Sequence, residues 1–369
     1  MGEVTLKEVF KKITKIGLVN LIIIILLLII LEGGASFYFA YKSVRQEINK
    51  EPFLAERLHT EYDPLLGWIN KPNISIDHMY GPNVYLKTNS QRFRNKDDFT
   101  IGVPKRKIRV ICSGASFTLG YGVDNAHTWC DLLELIDPRI QSVNMGQGGY
   151  GIGQSYLWYK RDGARLDHNI HVFAIVSAAF TRMMTKKFLG MPKPLLRTKN
   201  GKIFVENIPI SRLSSHKIFK YLKFFNIFRL VSEIRGVNFA DTLDKPAIYM
   251  EGEGEELVGT IFESLKKINT TKNSKLVLVH LPTEKEYQNT NNDRLYEFVR
   301  HEAEKRGILY INLNRDIRQV PSSEMTKFFF QKDIKGFDQS KGHLTPMGNF
   351  FVAKKISKAL AGIDALTTQ

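Results

Sequence analysis

The strongest hydrophobic pattern in the chain is an almost unbroken apolar run near the N-terminus, Ile16–Leu31. Beyond Glu32 the run continues through small and aromatic residues to Tyr41. Together these residues exceed the roughly 20 that a helix needs to cross a bilayer, and the aromatic side chains at the far end suit a membrane interface. The pattern predicts a membrane-spanning signal anchor at residues 16–41, after a cytoplasmic lead at residues 1–15.

Two other kinds of segment also contain an apolar run, a cleaved signal peptide and a buried core helix. A cleaved signal peptide has a shorter apolar region and a small-residue cleavage site, whereas this run is long and no Ala-x-Ala follows it. A buried core helix would need a partner surface. The flanking basic residues give a slight positive-inside bias, and they are Lys7, Lys11, Lys12 and Lys15 before the run and Lys42, Arg45 and Lys50 after it. The bias predicts a single-pass inner (plasma) membrane protein with its body on the periplasmic or extracellular side.

After the basic segment Lys105–Lys107, short apolar runs alternate with stretches of helical periodicity. The predicted strands are Ile108–Cys112, Gln141–Asn144, His171–Val176, Lys275–His280 and Ile308–Leu313. The predicted helices are Thr128–Ile136, Gly153–Arg165, Glu255–Ile268, Asn292–Arg306 and Pro346–Leu360. Such alternation is typical of a parallel sheet covered by helices on both faces.

Two segments interrupt or precede this alternation. Residues 42–105 are predicted to form a linker and a lead-in module packed on the core. Residues 183–250 are predicted to form a cap insertion, with a hairpin at Asn200-Gly201 and a basic aromatic helix at Lys217–Leu230. That helix suits a membrane surface or a partner protein, or it packs on the domain. The core is thereby divided into residues 106–182 and 251–369.

Candidate chemistry lies where the strands end. The first core strand runs into Gly114-Ala115-Ser116, and the carboxyl end of a central strand is where an α/β sheet displays a nucleophile. A Gly-rich loop around Gly149 follows the second strand and can direct backbone N–H groups at an oxyanion. His343 precedes the last helix with Asp338 upstream, and a His beside an Asp can take a proton from a serine. Ser116 and Gly149 are also compatible with ordinary turns, and His343 with a polar residue at a helix N-terminus.

Composition limits the partners. The formal net charge of +16 is compatible with nucleic acid, anionic lipid or anionic glycan, or with general solubility. No nucleic-acid-binding motif is present, so lipid or polysaccharide is favoured. No metal-ligand spacing or dinucleotide fingerprint occurs, so we expect the protein to bind no metal and no cofactor. Cys112 and Cys130 are interpreted as small buried residues without a disulfide.

These blocks resemble the SGNH (GDSL-like) hydrolase superfamily, in particular its membrane-anchored bacterial members. The resemblance extends from about Tyr62 to Ile356 and also includes three upstream blocks, Tyr62–Trp68, Lys71–Asn73 and Thr88–Arg94. It implies a three-layer flavodoxin-like sheet. It also implies Ser116 as nucleophile, His343 as base, Asp338 as orienting carboxylate, and the N–H groups of Ser116 and Gly149 as oxyanion donors.

The chain departs from the family pattern at three places. Ala115 stands where the family has the Asp of Gly-Asp-Ser, and Ala178 stands where an Asn usually donates to the oxyanion. Asp338 lies five residues before His343, where the family Asp lies two or three before it. Asn144 and Arg182 are further candidates for substrate binding. Asn144 could also brace the Gly149 loop through side-chain hydrogen bonds or lie at the surface, and Arg182 could bind an anionic group or form a surface ion pair.

The resemblance implies an ester hydrolase or O-acyltransferase that works through a Ser–His acyl-enzyme. Relatives of this family take part in acetylating exported polysaccharides, so an acylated glycan, a lipid or another cell-envelope polymer is the expected substrate. The departures support an alternative, a catalytically degenerate fold that binds glycan or assembles an envelope complex. A third interpretation is a membrane-surface module that uses the basic cap.

Overall fold

A computed structural model describes residues 6–49, 56–188, 191–210, 252–288, 293–334, 337 and 339–363. The chain forms two compact units, and the first contains the N-terminal helix Leu6–Asn49. Its stretch Ile13–Phe39, 27 residues with mean hydropathy 2.8, is long and apolar enough to cross a membrane. The helix therefore contains the predicted span and continues beyond its predicted end at Tyr41.

The second unit contains the described strands and the shorter helices. The strands in chain order are β1 (Thr60–Asp63), β2 (Gly67–Asn70), β3 (Ser75–Ile76), β4 (Leu86–Lys87), β5 (Ile108–Gly114), β6 (Ile140–Gly146), β7 (Ile170–Ile175), β8 (Lys187–Phe188), β9 (Met191–Pro192), β10 (Leu195–Lys199), β11 (Lys202–Glu206), β12 (Lys275–His280) and β13 (Leu309–Asn312). The helices are Glu56–His59, Ser116–Leu119, Trp129–Ile136, Ile152–Arg161, Ser177–Met183, Glu253–Thr271, Glu284–Gln288, Asp293–Glu304, Leu313–Ile317 and Pro346–Leu360, with 3-10 turns at Asn125–His127, Gly163–Arg165 and Ser322–Lys327.

Five strands form one parallel sheet in the order β13-β12-β7-β5-β6. When the five strands are numbered along the chain and the sheet is read from its β6 edge, the order is 2-1-3-4-5, the flavodoxin-like arrangement. From β5 the chain moves to β6 on one side and then returns to β7 on the other side of β5. With right-handed crossovers, the helix after β5 and the helix after β6 therefore cover opposite faces of the sheet. Trp129–Ile136 packs with Pro346–Leu360, and Ile152–Arg161 packs with Glu253–Thr271. The predicted α/β class, with helices on both faces, is confirmed.

The sheet is buried because its strands are apolar on both faces. Every residue of β5 and β7 is buried, as expected for parallel strands between two helical layers. The largest buried apolar side chains include Trp129, Trp158 and Phe173. Cys112 and Cys130 are free and buried, which confirms their interpretation as small core residues.

Several predicted boundaries shift by a few residues. β5 continues to Gly114 because that residue pairs with Gly146 of β6. The helix that begins at Ile152 ends at Arg161, and a separate 3-10 turn follows at Gly163–Arg165. The predicted hairpin is present as β10 and β11, with Asn200 and Gly201 both at positive φ, as a type I′ turn requires. The predicted helix Lys217–Leu230 lies outside the described residues.

Candidate active site

The turn after β5 presents Ser116. Ala115 follows the last strand residue, Gly114, and its carbonyl accepts the N–H groups of Thr118 and Leu119 at 3.0 and 2.9 Å. Ser116 is therefore the first residue of a one-turn helix, with 5% of its surface exposed. A Cβ on Gly146 of β6 would lie 1.9 Å from the Leu119 nitrogen. Glycine there allows this close approach of the helix backbone to the neighbouring strand.

Arg94, to which sequence analysis assigned no role, holds the same turn in place. Its fully buried guanidinium donates to the carbonyls of Leu119, Gly120 and Val123, and its Nε donates to Asn125 Oδ1 at 3.1 Å. Burial lowers the pKa of Arg94. The last residue of the Thr88–Arg94 block thus connects the lead-in module to the loop that carries Ser116.

His343 lies against Ser116, although 226 residues separate them in the chain. Its Nε2 is 2.8 Å from Ser116 Oγ. The imidazole lies 4.4 Å from the Phe117 ring and 5.0 Å from the Tyr121 ring, between centroids. The backbone N–H of His343 donates to Ser340 at 2.9 Å. The ring is held by aromatic contacts and by its own loop.

The electrostatic surroundings keep His343 neutral. Burial lowers its pKa to about 3, and the positive charge of Arg182 acts in the same direction, while backbone carbonyls of residues 339–341 oppose both. No described side chain accepts a hydrogen bond from its Nδ1. Asp338, predicted to orient this ring, lies outside the described residues. A neutral imidazole can accept the Ser116 proton through Nε2.

The Gly-rich loop after β6 lies beside the serine turn, since β6 and β5 are neighbours. Gly149 has φ +74, and a Cβ on it would lie 2.5 Å from the Phe188 ring and 3.3 Å from the Trp68 ring. The N–H groups of Ser116 and Gly149 have no acceptor in the described part of the chain. Unpaired N–H groups at this sheet edge are what an oxyanion site requires.

Asn144 and its neighbours support this loop through hydrogen bonds. Asn144 is 1% exposed, and its Oδ1 accepts the Gly146 N–H at 2.9 Å. Gln147 Nε2 donates to Asn70 Oδ1 at 2.8 Å. The burial of Asn144 excludes its alternative interpretation as a surface residue, and its side chain supports the loop instead of facing a substrate.

Ala178, in the place of the family Asn, is exposed in the first turn after β7. Its neighbour Ser177 belongs to a second Ser–His–acid cluster. Ser177 Oγ lies 3.1 Å from His280 Nε2 and also donates to Glu286, which lies 3.6 Å from the same His280 nitrogen. Burial raises the pKa of Glu286, but hydrogen bonds from His280, Ser177 and Thr283 outweigh it, so the net pKa is lowered. Because serine and carboxylate share one ring nitrogen, the cluster lacks the relay order of a triad, in which the acid binds the opposite nitrogen.

Arg182 lies on the rim of the site, in the helix after β7. It is part-exposed, and its Nη1 donates to the carbonyl of Tyr150 at 3.0 Å. Burial lowers its pKa to about 10. Among the described residues, no group of three or more His, Cys, Asp or Glu could hold a metal ion.

Solved structures similar to this chain include several lipolytic enzymes. One is a member of the lipolytic protein G-D-S-L family from Veillonella parvula DSM 2008, at 10% identity and TM-score 0.39, covering 69% of this chain and 100% of that one. A lipase/acylhydrolase from Enterococcus faecalis matches at 11% identity and TM-score 0.39, covering 69% and 96%. An acetylxylan esterase from Geobacillus stearothermophilus matches at 10% identity and TM-score 0.39, covering 73% and 100%.

No family model matches the chain, and no curated protein matches it. The sheet order, with Ser116 after β5 and His343 before the final helix, is the arrangement that the sequence blocks imply. The fold is SGNH-like. The chemistry of this SGNH-like chain rests on its own site geometry.

Proposed function

We propose that the protein is a serine esterase or O-acyltransferase in which Ser116 and His343 act as nucleophile and base. The single observation that carries the proposal is the 2.8 Å contact between Ser116 Oγ and His343 Nε2 at the carboxyl end of the sheet. That edge lies at the β5–β7 switch point, where open α/β sheets bind ligands. A nucleophile and a base within hydrogen-bond reach are the minimum for acyl-enzyme chemistry.

The reaction follows from this pair. Ser116 Oγ attacks the ester carbonyl carbon as its proton passes to His343 Nε2, and the Ser116 and Gly149 N–H groups stabilise the negative oxygen. The C–O bond to the alcohol then breaks, and the alcohol leaves with the proton from His343. Water or a sugar hydroxyl then attacks the acyl-Ser116 ester, while His343 takes its proton. A carboxylic acid or a new ester is released and Ser116 regains its proton.

We further propose that the substrate is an acylated glycan, lipid or cell-envelope polymer on the outer side of the membrane. The apolar stretch Ile13–Phe39 supports an anchor, and the net charge of +16 suits an anionic polymer. Alkaline phosphatase fused after residue 369 should be active only if the body is exported. An inactive fusion at normal expression would contradict the proposed sidedness.

One set of observations favours a second function, a catalytically inactive subunit that binds glycan or assembles an envelope complex. Ala115 and Ala178 replace two family side chains, and the His343 Nδ1 has no described side-chain partner. If a Ser116→Ala strain keeps the cellular phenotype that deletion of the whole gene removes, the inactive alternative is supported.

The pH profile tests the role of His343. A general base works when neutral, so kcat/KM rises with pH through the pKa of the base and is level above it. With that pKa lowered to about 3, kcat/KM should stay level from pH 8 to pH 5. An ordinary histidine, with a pKa of about 6.5, would cause a loss of more than tenfold between pH 7 and pH 5.

The Arg182→Met substitution removes a positive charge that lowers the pKa of His343. The fall of kcat/KM at acid pH should therefore begin at a higher pH in this variant.

The Gly149→Ala substitution tests the oxyanion loop. The added methyl meets the Phe188 ring, so the loop must move and its N–H moves with it. Loss of an oxyanion donor reduces kcat by about 10²–10³. The matched control is Gly201→Ala, which shares the positive φ but has no atom within 4 Å of the new Cβ. Equal activity in the two variants would argue against Gly149 as a donor.

A further inference from the structure

Arg182 is a cation without an acidic partner among the described residues. Its hydrogen bond goes to the neutral carbonyl of Tyr150, and no described carboxylate lies within ion-pair distance. Arg161, in contrast, contacts Asp63 and Asp162, and the buried Arg94 has four neutral acceptors, the carbonyls of Leu119, Gly120 and Val123 and Asn125 Oδ1. The part-exposed position of Arg182 leaves its charge within reach of a ligand. Arg guanidinium carries five N–H donors, so most of those on Arg182 remain available to a ligand.

Arg182 is fixed to the loop that carries Gly149. Its guanidinium lies 5.4 Å from the Phe188 ring centroid, and the same ring packs on Gly149. A Cβ on Gly151 would lie 3.1 Å from the Arg182 carbonyl carbon, so glycine permits this close backbone packing. The cation is therefore held in one place beside the proposed oxyanion donor.

The charge of Arg182 acts on the reacting pair itself. Second only to burial, it lowers the pKa of His343. It therefore opposes the imidazolium that forms when Ser116 transfers its proton. An anion bound to Arg182 would offset this effect and make His343 a stronger base during turnover.

We propose that Arg182 binds a carboxylate group of the ester substrate, next to the reacting carbonyl. The inference rests on the proposed function and adds a substrate class to it. The planar guanidinium matches carboxylate geometry through paired hydrogen bonds, and with Nη1 held by Tyr150 the remaining edge is oriented for such a pair.

The test compares carboxylate esters with their neutral methyl esters on the full-length protein in detergent. One pair, p-nitrophenyl succinate and p-nitrophenyl methyl succinate, carries the charge on the acyl side. The other, 4-acetoxybenzoate and methyl 4-acetoxybenzoate, carries it on the alcohol side. At least one carboxylate ester should show a kcat/KM higher by about 10–100-fold, as expected for hydrogen bonds to a charged group. Arg182→Met should remove the preference, and Lys358→Gln, which removes an exposed positive charge, should keep it.

A binding measurement makes the inference independent of turnover. Succinate and benzoate are titrated into Ser116→Ala and into Ser116→Ala/Arg182→Met. At least one should bind the first variant about tenfold or more tightly than the second. Equal kcat/KM within both pairs, or binding unchanged by Arg182→Met, would overturn the inference even if Ser116 is active. If no ester is cleaved and Ser116 resists a serine-directed probe, the proposed function fails and the titration alone decides the role of Arg182.

Discussion

Ser116→Ala is expected to abolish labelling by a fluorophosphonate probe and to lower ester hydrolysis by on the order of 10⁴–10⁶-fold, since loss of a nucleophilic serine removes acyl-enzyme chemistry altogether. Without the hydroxyl no covalent bond to the substrate can form, although N–H groups at the oxyanion site still bind it. Purified full-length protein is incubated with the probe and followed by intact-mass spectrometry, which reports one adduct on the unaltered chain. Hydrolysis of a p-nitrophenyl ester supplies the rate.

The fold provides a matched control for this substitution. Ser177 also contacts a histidine and a carboxylate, so a probe that reacts with any polar serine would label it as well. Because His280 Nε2 is shared by Ser177 and Glu286, we expect Ser177→Ala to leave labelling unchanged. Labelling that survives Ser116→Ala and disappears in Ser177→Ala would move the active site to the second cluster.

The sheet was predictable from sequence because its signals are local. Each core strand is a short apolar run between polar turns, and the order of runs and helices restricts the topology to few choices. Ser116 and His343 could be paired before the structure because both lie in recognisable blocks beside predicted element ends. Strand ends were less predictable, since the last residues of β5 are set by pairing with Gly146 on β6.

The parts of the site that sequence did not reveal depend on contacts between distant segments. Nothing near Phe117 or Tyr121 in the chain indicates that their rings enclose His343. Asn144 could be interpreted as surface or buried, and only the packing of Asn95 and Gly146 around it decides. The Ser177–His280–Glu286 cluster joins three segments that show no common pattern. Arg94 is the clearest case, because an Arg in a polar loop is ordinarily exposed.

Arg94→Met should therefore destabilise the protein strongly. The substitution keeps an apolar stem of similar length but removes every donor, which leaves the Leu119, Gly120 and Val123 carbonyls buried beside the thioether. Each unsatisfied buried group costs about 1–3 kcal/mol, so we expect a loss of about 3–5 kcal/mol, the range of the largest single-mutation effects. Urea unfolding followed by tryptophan fluorescence measures it, since Trp129 and Trp158 are fully buried.

An exposed arginine serves as the control, and it separates the effect of losing buried hydrogen bonds from the effect of losing a positive charge. Arg315 has a side chain that is 66% exposed and pairs with Glu297 at the surface, and such pairs contribute about 0–1 kcal/mol. Arg315→Met should therefore leave the urea midpoint nearly unchanged. If Arg94→Met unfolds at the same urea concentration as Arg315→Met, the turn that carries Ser116 does not depend on the buried guanidinium. If it unfolds far earlier yet retains full esterase activity when folded, Arg94 stabilises the fold without positioning the nucleophile.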